Sequence, residues 1–87
     1  MRTKVYCPRE VNINNGENVT VRRTSSHTSS GTYCVCEFEN KVLGMVSDIP
    51  ELDIQENETK NASIISSTVI NYNTILEIEM SDWYENI

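Results

Sequence analysis

Apolar and polar side chains alternate with a period of two along much of the chain. Two such runs occupy residues 11–13 and 19–21 and flank Asn15-Gly16. Alternate side chains of a strand point to opposite faces, so this period indicates β-strands. Asn-Gly between two such runs is a strong β-hairpin signal, because both turn residues require positive φ. The pattern therefore predicts a first hairpin over residues 11–21.

The same alternation returns over residues 32–46, around a second tight turn at Asn40-Lys41. One face of the first strand of this pair carries Cys34, Cys36 and Phe38. We expect this face to lie in the core, because the opposite face carries two glutamates. Gly44 interrupts the returning strand, which indicates either a β-bulge or the close approach of another backbone.

A third strand pair is predicted for residues 64–72 and 74–80. The apolar side chains of its second strand, Leu76, Ile78 and Met80, lie opposite Glu77 and Glu79. Residues 5–7 count as a further candidate strand. The chain is therefore expected to form one domain over residues 1–87, an all-β fold of five to six short antiparallel strands. A barrel is favoured over a sandwich because closure removes the exposed strand edges.

Three segments interrupt this pattern. Residues 24–31 read TSSHTSSG and lack aliphatic side chains, which predicts a polar loop. Residues 48–51, Asp-Ile-Pro-Glu, have the form of a helix capping box with proline in the first turn. A short helix over residues 48–57 and an irregular loop are both compatible with that segment. Residues 81–87 are expected to form one helical turn.

The composition supports a β fold and argues against an enzyme. Val and Ile occupy 17 of the 87 positions, whereas Leu and Ala occupy 4. β-Branched side chains pack well on a pleated sheet and lose freedom in a helix. A chain of this length buries one thin core, and its three dispersed glycines form no phosphate-binding loop. We expect neither catalysis nor a cofactor.

The cysteines indicate a reducing compartment. The chain has three cysteines, Cys7, Cys34 and Cys36, so one thiol stays free even if the other two form a disulfide. The basic start of the chain is not followed by the apolar stretch of an export signal. The longest apolar run, residues 42–46, is far shorter than a membrane span. The expected location is the cytoplasm, with no membrane contact.

Cys7, His27, Cys34 and Cys36 together supply four atoms of the types that bind zinc. Structural zinc sites mostly take their cysteines from Cys-x₂₋₄-Cys knuckles, whereas this chain has Cys-x-Cys and no second pair. Buried cysteine commonly behaves as a small apolar side chain. Packing in the core is therefore the favoured interpretation. His27 lies among serines, in a segment that offers no rigid partner for nucleophilic catalysis.

Charge is distributed unequally along the chain. Residues 1–36 carry five Lys or Arg and two Asp or Glu, a net charge of +3, and the remaining residues carry two and eleven, a net charge of −9. An acidic field repels nucleic-acid phosphates and attracts basic protein surfaces. An acidic surface that serves solubility alone is the plain alternative. The opposite signs of the two halves would also permit self-association.

The leading functional hypothesis is a non-enzymatic interaction protein that binds a basic surface of a partner protein. Its expected docking residues are Asp48, Glu51, Asp53, Glu56, Glu58, Asp82, Trp83, Tyr84 and Glu85. Trp and Tyr set among acids make good interface anchors, although they serve equally well as a plug for a barrel end. Such proteins suit the role of an inhibitor that occludes another protein's site, as phage-encoded antagonists and toxin-immunity proteins do.

The alternative is a small β-barrel that binds a ligand or single-stranded nucleic acid through Arg22, Arg23 and Tyr33. Cations beside an aromatic ring are typical of single-strand grooves. The net charge of −6 argues against this alternative, so nucleic acid is not the expected partner.

Overall fold

The computed structural model describes residues 1–25 and 31–80. Within these ranges the fold is all-β and contains no helix. The strands are β1 (Arg2–Cys7), β2 (Asn18–Ser25), β3 (Thr32–Phe38), β4 (Lys41–Val46), β5 (Thr59–Ile70) and β6 (Asn73–Glu79). They form a closed antiparallel barrel in the order β1-β4-β3-β2-β5-β6. The predicted all-β fold, and the preference for a barrel over a sandwich, are confirmed.

The strand order is a Greek key followed by a hairpin. β2, β3 and β4 pair consecutively, and β1 lies beside β4. β5 pairs with β2, and β6 closes the barrel between β5 and β1. Because all neighbours are antiparallel, the connections β2–β3 and β4–β5 lie at one end, which we call the crossover end. The other three connections lie at the opposite end, which we call the hairpin end.

Inward-facing side chains fill the barrel. The fully buried ones include Val5, Cys7, Val21, Cys34, Cys36, Leu76, Ile78 and Met80. Alternation in β1 and β6 is strict, since every second residue of each strand is buried. The predicted inner faces of β3 and β6 are confirmed, with Phe38 half-buried against the core. β-Branched residues suit this interior, because they pack densely on the concave side of a small barrel.

Two hairpins depend on turns with two consecutive residues at positive φ. Glu39 and Asn40 have φ of 52° and 67° between β3 and β4, and Asn71 and Tyr72 have 49° and 71° between β5 and β6. This is the type I′ geometry that matches the twist of the flanking strands. The third predicted strand pair is therefore confirmed, and the β3–β4 turn lies one residue earlier than predicted.

The predicted first hairpin is wrong, because residues 11–13 form no strand. The Asn15-Gly16 turn does form, with positive φ at Gly16 alone (90°). The Gly16 amide donates to the Ile64 carbonyl at 2.7 Å, and the Ile64 amide donates to the Glu17 carbonyl at 3.0 Å. After the turn the chain thus pairs with β5, a distant partner. Val11 and Ile13 instead pack against the core as part of a loop.

Of the two alternatives left open for residues 48–57, the irregular loop is confirmed and the helix is wrong, since the segment is an irregular crossing with two turns. Its apolar residues Leu52 and Ile54 are buried at alternate positions, a period that suits an extended chain and not a helix. The polar loop predicted from residue 24 begins later, because Thr24 and Ser25 continue β2. Residues 26–30 and the helical turn predicted for residues 81–87 lie outside the described residues.

Gly44 allows two backbones to approach each other closely where β1 meets β4. A Cβ atom at this position would lie 2.1 Å from the Tyr6 carbonyl oxygen and 2.9 Å from the Cys7 Cα. The β3–β4 register also shifts at this point, leaving Leu43 as the extra residue of a bulge. Both alternatives raised by the sequence, a bulge and a close approach, are therefore present.

Replacing Gly44 by Ala is expected to destabilise the protein by about 1–3 kcal/mol or more, because backbone atoms must move to accommodate the methyl group. Gly31→Ala is the matched control, since, apart from its chain neighbours, no described residue has an atom within 4 Å of a Cβ built at Gly31. Urea unfolding of both variants measures the difference. Equal unfolding midpoints for the two variants would show that the close approach is not required.

Candidate functional site

Residues 47–58 connect β4 to β5 across the crossover end, and we call them the acidic crossover. Leu52 and Ile54 are only 4% and 2% exposed and belong to the core, and Ile49 packs against it. The Ser47 amide donates to the Lys4 carbonyl at 2.8 Å, which ties the start of the segment to β1. The acidic crossover is therefore a fixed part of the barrel.

Two turns shape the acidic crossover. The Leu52 amide donates to the Ile49 carbonyl at 2.9 Å, with Pro50 in the second position of the turn, where its fixed φ is favoured. The Glu58 amide donates to the Gln55 carbonyl at 3.0 Å, and Asn57 takes the positive φ of 69° that this second turn needs. Polar residues thus reverse the chain while alternate apolar residues enter the core.

Arg23 joins the acidic crossover to β2 and β3. Its Nε donates to the Ile54 carbonyl, its Nη1 donates to Thr32 Oγ1 at 3.2 Å, and its Nη2 lies 3.6 Å from Asp48 Oδ1. The side chain is only 15% exposed. A guanidinium group offers five donors in a fixed plane, so one side chain can bind several acceptors. Arg23 therefore acts as a structural clamp at this end of the barrel.

Four of the five carboxylates of the acidic crossover point into solvent. These are Asp48, Glu51, Asp53 and Glu56. Ser25 donates to Glu56 at 2.7 Å, and Gln55 Nε2 donates to Asp53 at 3.1 Å. Within the described residues, the Glu51 carboxylate has no hydrogen bond or ion pair. These side chains keep most of their charge available to a partner.

Glu58 has a different role from the other four acids. Its Oε1 accepts a hydrogen bond from the Gln55 amide at 2.9 Å, and its Oε2 lies 3.4 Å from Lys60 Nζ. The backbone hydrogen bond from Gln55, assisted by the charge of Lys60, lowers the pKa of Glu58. This carboxylate stabilises the second turn in its ionised form, so it belongs to the support of the surface.

The remaining predicted docking residues, Asp82, Trp83, Tyr84 and Glu85, lie outside the described residues. The described chain reaches its last residue, Met80, just after β6 ends at the crossover end. The Met80 amide donates to the Met1 carbonyl at 2.8 Å, which fixes this point beside β1. Met80 therefore lies at the same end of the barrel as the acidic crossover.

Residues of the alternative site are separated by strand alternation. Arg22 faces outward and binds Glu37 with two hydrogen bonds of 3.0 and 3.2 Å. Tyr33 lies diagonally across from it on the neighbouring strand β3. Arg23, one residue along β2, faces the opposite side and is held by the acidic crossover. Both guanidinium groups are thus engaged by acceptors of the protein itself.

All three cysteines are free thiols without exposed surface. Burial raises the pKa of the Cys36 thiol to about 12, and it also raises the pKa values of Cys7 and Cys34. A protonated thiol is a poor nucleophile and a poor metal ligand. In the described ranges, no group of three or more His, Cys, Asp or Glu side chains is arranged to hold a metal ion. His27 lies outside those ranges.

An apolar row on the outer face was not anticipated from the sequence. Tyr6 pairs with Met45, and Met45 pairs with Val35 on the next strand. Tyr6 and Met45 are 48% and 54% exposed, whereas Val35 is buried beneath its neighbours. A groove of about 410 Å³ lies along this row. The sequence did contain a signal for this row. Tyr6 and Met45 occupy strand positions at which the alternation predicts polar side chains.

The anchoring of the acidic crossover was likewise not predicted from the sequence. Leu52 and Ile54 alternate with acids over a short stretch, and this alternation could have predicted a segment with one buried face. The role of Arg23 had no signal in its neighbourhood, because all three of its partners are distant in the chain or on another strand.

No protein-family model, curated protein or solved structure matches this chain. Among the described residues, no helix has the length and apolarity needed to cross a membrane. The site must therefore be interpreted from its own geometry.

Replacing Arg23 by Met is expected to destabilise the protein by about 1.5–3 kcal/mol, because hydrogen bonds from a charged group to the Ile54 carbonyl and to Thr32 are lost. Arg22→Met is the matched control, since its ion pair with Glu37 is more exposed than Arg23 and joins strands that stay paired through their backbones, so its loss is expected to cost about 1 kcal/mol. Urea unfolding compares the two. A larger loss in Arg22→Met than in Arg23→Met would contradict the assigned clamp.

The Cys36 thiol is expected to resist alkylation by iodoacetamide at pH 8, because its pKa of about 12 leaves almost no thiolate in the folded protein. Mass spectrometry should find no modified Cys36 in the native protein and three modified cysteines in urea. The unfolded thiol ionises near its ordinary pKa of 9.0, so the free energy of unfolding should fall as pH rises from 9 towards 12. Native alkylation of Cys36 as fast as in urea would contradict its burial.

Proposed function

We propose that this protein is a non-enzymatic binding module that docks the acidic crossover onto a basic surface of a partner protein. The observation that carries the proposal is the contrast within one short segment. Leu52 and Ile54 are locked into the core, while the carboxylates between and around them stay exposed. Strong anchoring with outward-facing charge is the arrangement expected of a recognition surface.

Fixed geometry favours binding because little conformational entropy remains to be lost. Arg23 and the two turns hold the backbone that carries Glu51 and Asp53. Pre-organisation of this kind raises affinity by lowering the cost of ordering the interface. Exposed acids of one sign also steer a basic partner and raise the association rate. Asp82, Trp83, Tyr84 and Glu85 remain part of the proposed interface as an acidic and aromatic extension.

The proposed biological role is that of an inhibitor or antagonist, of the phage-encoded or immunity type, acting in the cytoplasm. A small, rigid, acidic surface can cover a basic site of another protein without any chemistry of its own. The buried, protonated thiols are consistent with a function that does not use them. Binding of a ligand or nucleic acid through Arg22, Arg23 and Tyr33 has less support, because both arginines already bind protein acceptors.

Reversing Glu51 and Asp53 to Lys tests the proposal. These two acids make no contact to the described backbone through their carboxylates, so the melting temperature should change little. The association rate with the captured partner should fall by about tenfold or more, because steering by these charges is reversed. Pull-down followed by mass spectrometry identifies the partner, and surface-based kinetics measures the rate.

The matched control is the pair Glu10→Lys and Glu39→Lys, two exposed acids at the hairpin end. It changes the net charge by the same amount while leaving the acidic crossover intact. The control should bind nearly as fast as the parent, and the parent's association should slow with added salt. Equal rates for both double variants would refute docking through this segment.

A further inference from the structure

The second half of β5 has one unpaired edge. β2 pairs with the first half of β5, from Thr59 to Ser63, and the loop residues Gly16 and Glu17 extend this pairing to Ile64. Residues 66–70 pair on one side with β6, and Ile65 before them is the extra residue of a bulge. Within the described residues, no backbone group bonds to their other side. We call residues 65–70 the open edge.

The hairpin turn determines which backbone groups of the open edge are free. Ile70 and Asn73 flank the two-residue turn and face each other in the register. Pairs that exchange hydrogen bonds alternate with pairs that do not along an antiparallel ladder, and the pair that closes such a turn exchanges them. Thr68 therefore bonds to β6, whereas the N–H and C=O groups of Ser67 and Val69 point outward. These four groups are open to hydrogen bonding by a partner strand.

The open edge lacks most of the features that usually protect an edge strand. Natural edges carry charges, proline, bulges or covering loops, and of these the open edge has only the bulge at Ile65, at its start. Residues 65–70 read ISSTVI, without a charge, proline or glycine. Val69, Ile70 and Tyr72 at the tip of the hairpin are 50%, 53% and 84% exposed. Uncharged segments with this many β-branched residues pair readily with other strands.

We propose that the open edge binds the open edge of a second copy of this chain, in an antiparallel two-fold strand pair. Pairing Ser67 with the partner's Val69, and Val69 with the partner's Ser67, satisfies all four outward groups of each copy. Thr68 of one copy then lies opposite Thr68 of the other copy, on the two-fold axis. Thr–Thr pairs are favourable across strands. The paired strands contain no charged residue, so no like charges face each other. Any extended strand could satisfy the four backbone groups, and a second copy adds the favourable Thr68 pair without bringing a charge to the edge.

The proposed dimer interface is separate from the acidic crossover. The affinity of the dimer should depend on salt in the opposite sense to the affinity of acidic docking. Each copy has a net charge of −6, so two copies repel each other at a distance. Salt screens that repulsion and should strengthen the dimer. Docking of acids onto a basic partner weakens with salt, so the two proposals can fail independently. The Glu51→Lys and Asp53→Lys double variant should still dimerise.

A cysteine at the two-fold axis provides the sharpest test. Opposed residues of a pair without mutual hydrogen bonds have Cα atoms about 4.5 Å apart, which is within disulfide reach. Thr68→Cys should therefore form a covalent dimer in mild oxidant. Ile70→Cys, also at an exposed position, is the control, because position 70 of one copy lies about 13 Å along the strand from position 70 of the other. The three native thiols are buried and do not compete.

Sedimentation equilibrium over a range of concentrations tests the uncrosslinked protein. Ser67→Pro removes an outward N–H without breaking the β6 ladder, and the dimer dissociation constant should rise at least about tenfold. Tyr72→Asn removes the exposed ring while retaining a residue that tolerates positive φ, and it should dimerise like the parent.

Three results would overturn the proposal. The first is a parent that remains monomeric at all concentrations. The second is equal crosslinking of Thr68→Cys and Ile70→Cys. The third is a dimer whose dissociation constant is unchanged by Ser67→Pro. Loss of that dimer in Tyr72→Asn would indicate association through the apolar tip, and its loss in high salt would indicate association through opposite charges.

Discussion

The barrel closes where β1 pairs with β4, and this pairing brings the backbone of Tyr6 and Cys7 against Gly44. A side chain at that position would force the two backbones apart locally and weaken the pairing that closes the barrel. Closure also brings Val5 and Cys7 into the common interior with Val46. The thin core expected of so short a chain is complete only when the sheet is closed.

The interior is filled from the crossover end as well as from the strands. Leu52 and Ile54 lie on the connection between β4 and β5, yet they are buried as deeply as most strand residues. Because the core needs these two side chains, the acids on either side of them are held at the surface. Stability and the proposed recognition surface therefore depend on the same short segment, and Arg23 connects that segment to the sheet.

Folding redistributes the charge that is so unequal along the chain. Basic residues of the first part pair with acids of the second, as in Arg2 with Glu79 and Arg22 with Glu37. The basic and acidic halves of the sequence are consequently not basic and acidic halves of the molecule. What remains is a local excess of acid on the crossover, where Glu51 and Asp53 lie without a cationic partner among the described residues. The proposed docking depends on this local excess and not on the net charge.

The sequence by itself determined the features that arise from neighbouring residues. Alternation of β-branched residues specified the strands and their inner faces, and Asn40 and Asn71 marked turns because asparagine tolerates positive φ. The local turns also predicted the pairing of β3 with β4 and of β5 with β6, whereas only the tertiary structure decided the other strand pairs. Asn15-Gly16 formed its turn, but β2 paired with β5 and not with residues 11–13, since barrel closure offered the longer ladder. The capping-box pattern near residue 48 likewise yielded to the burial of Leu52 and Ile54, because core contacts outweigh a weak local preference for helix.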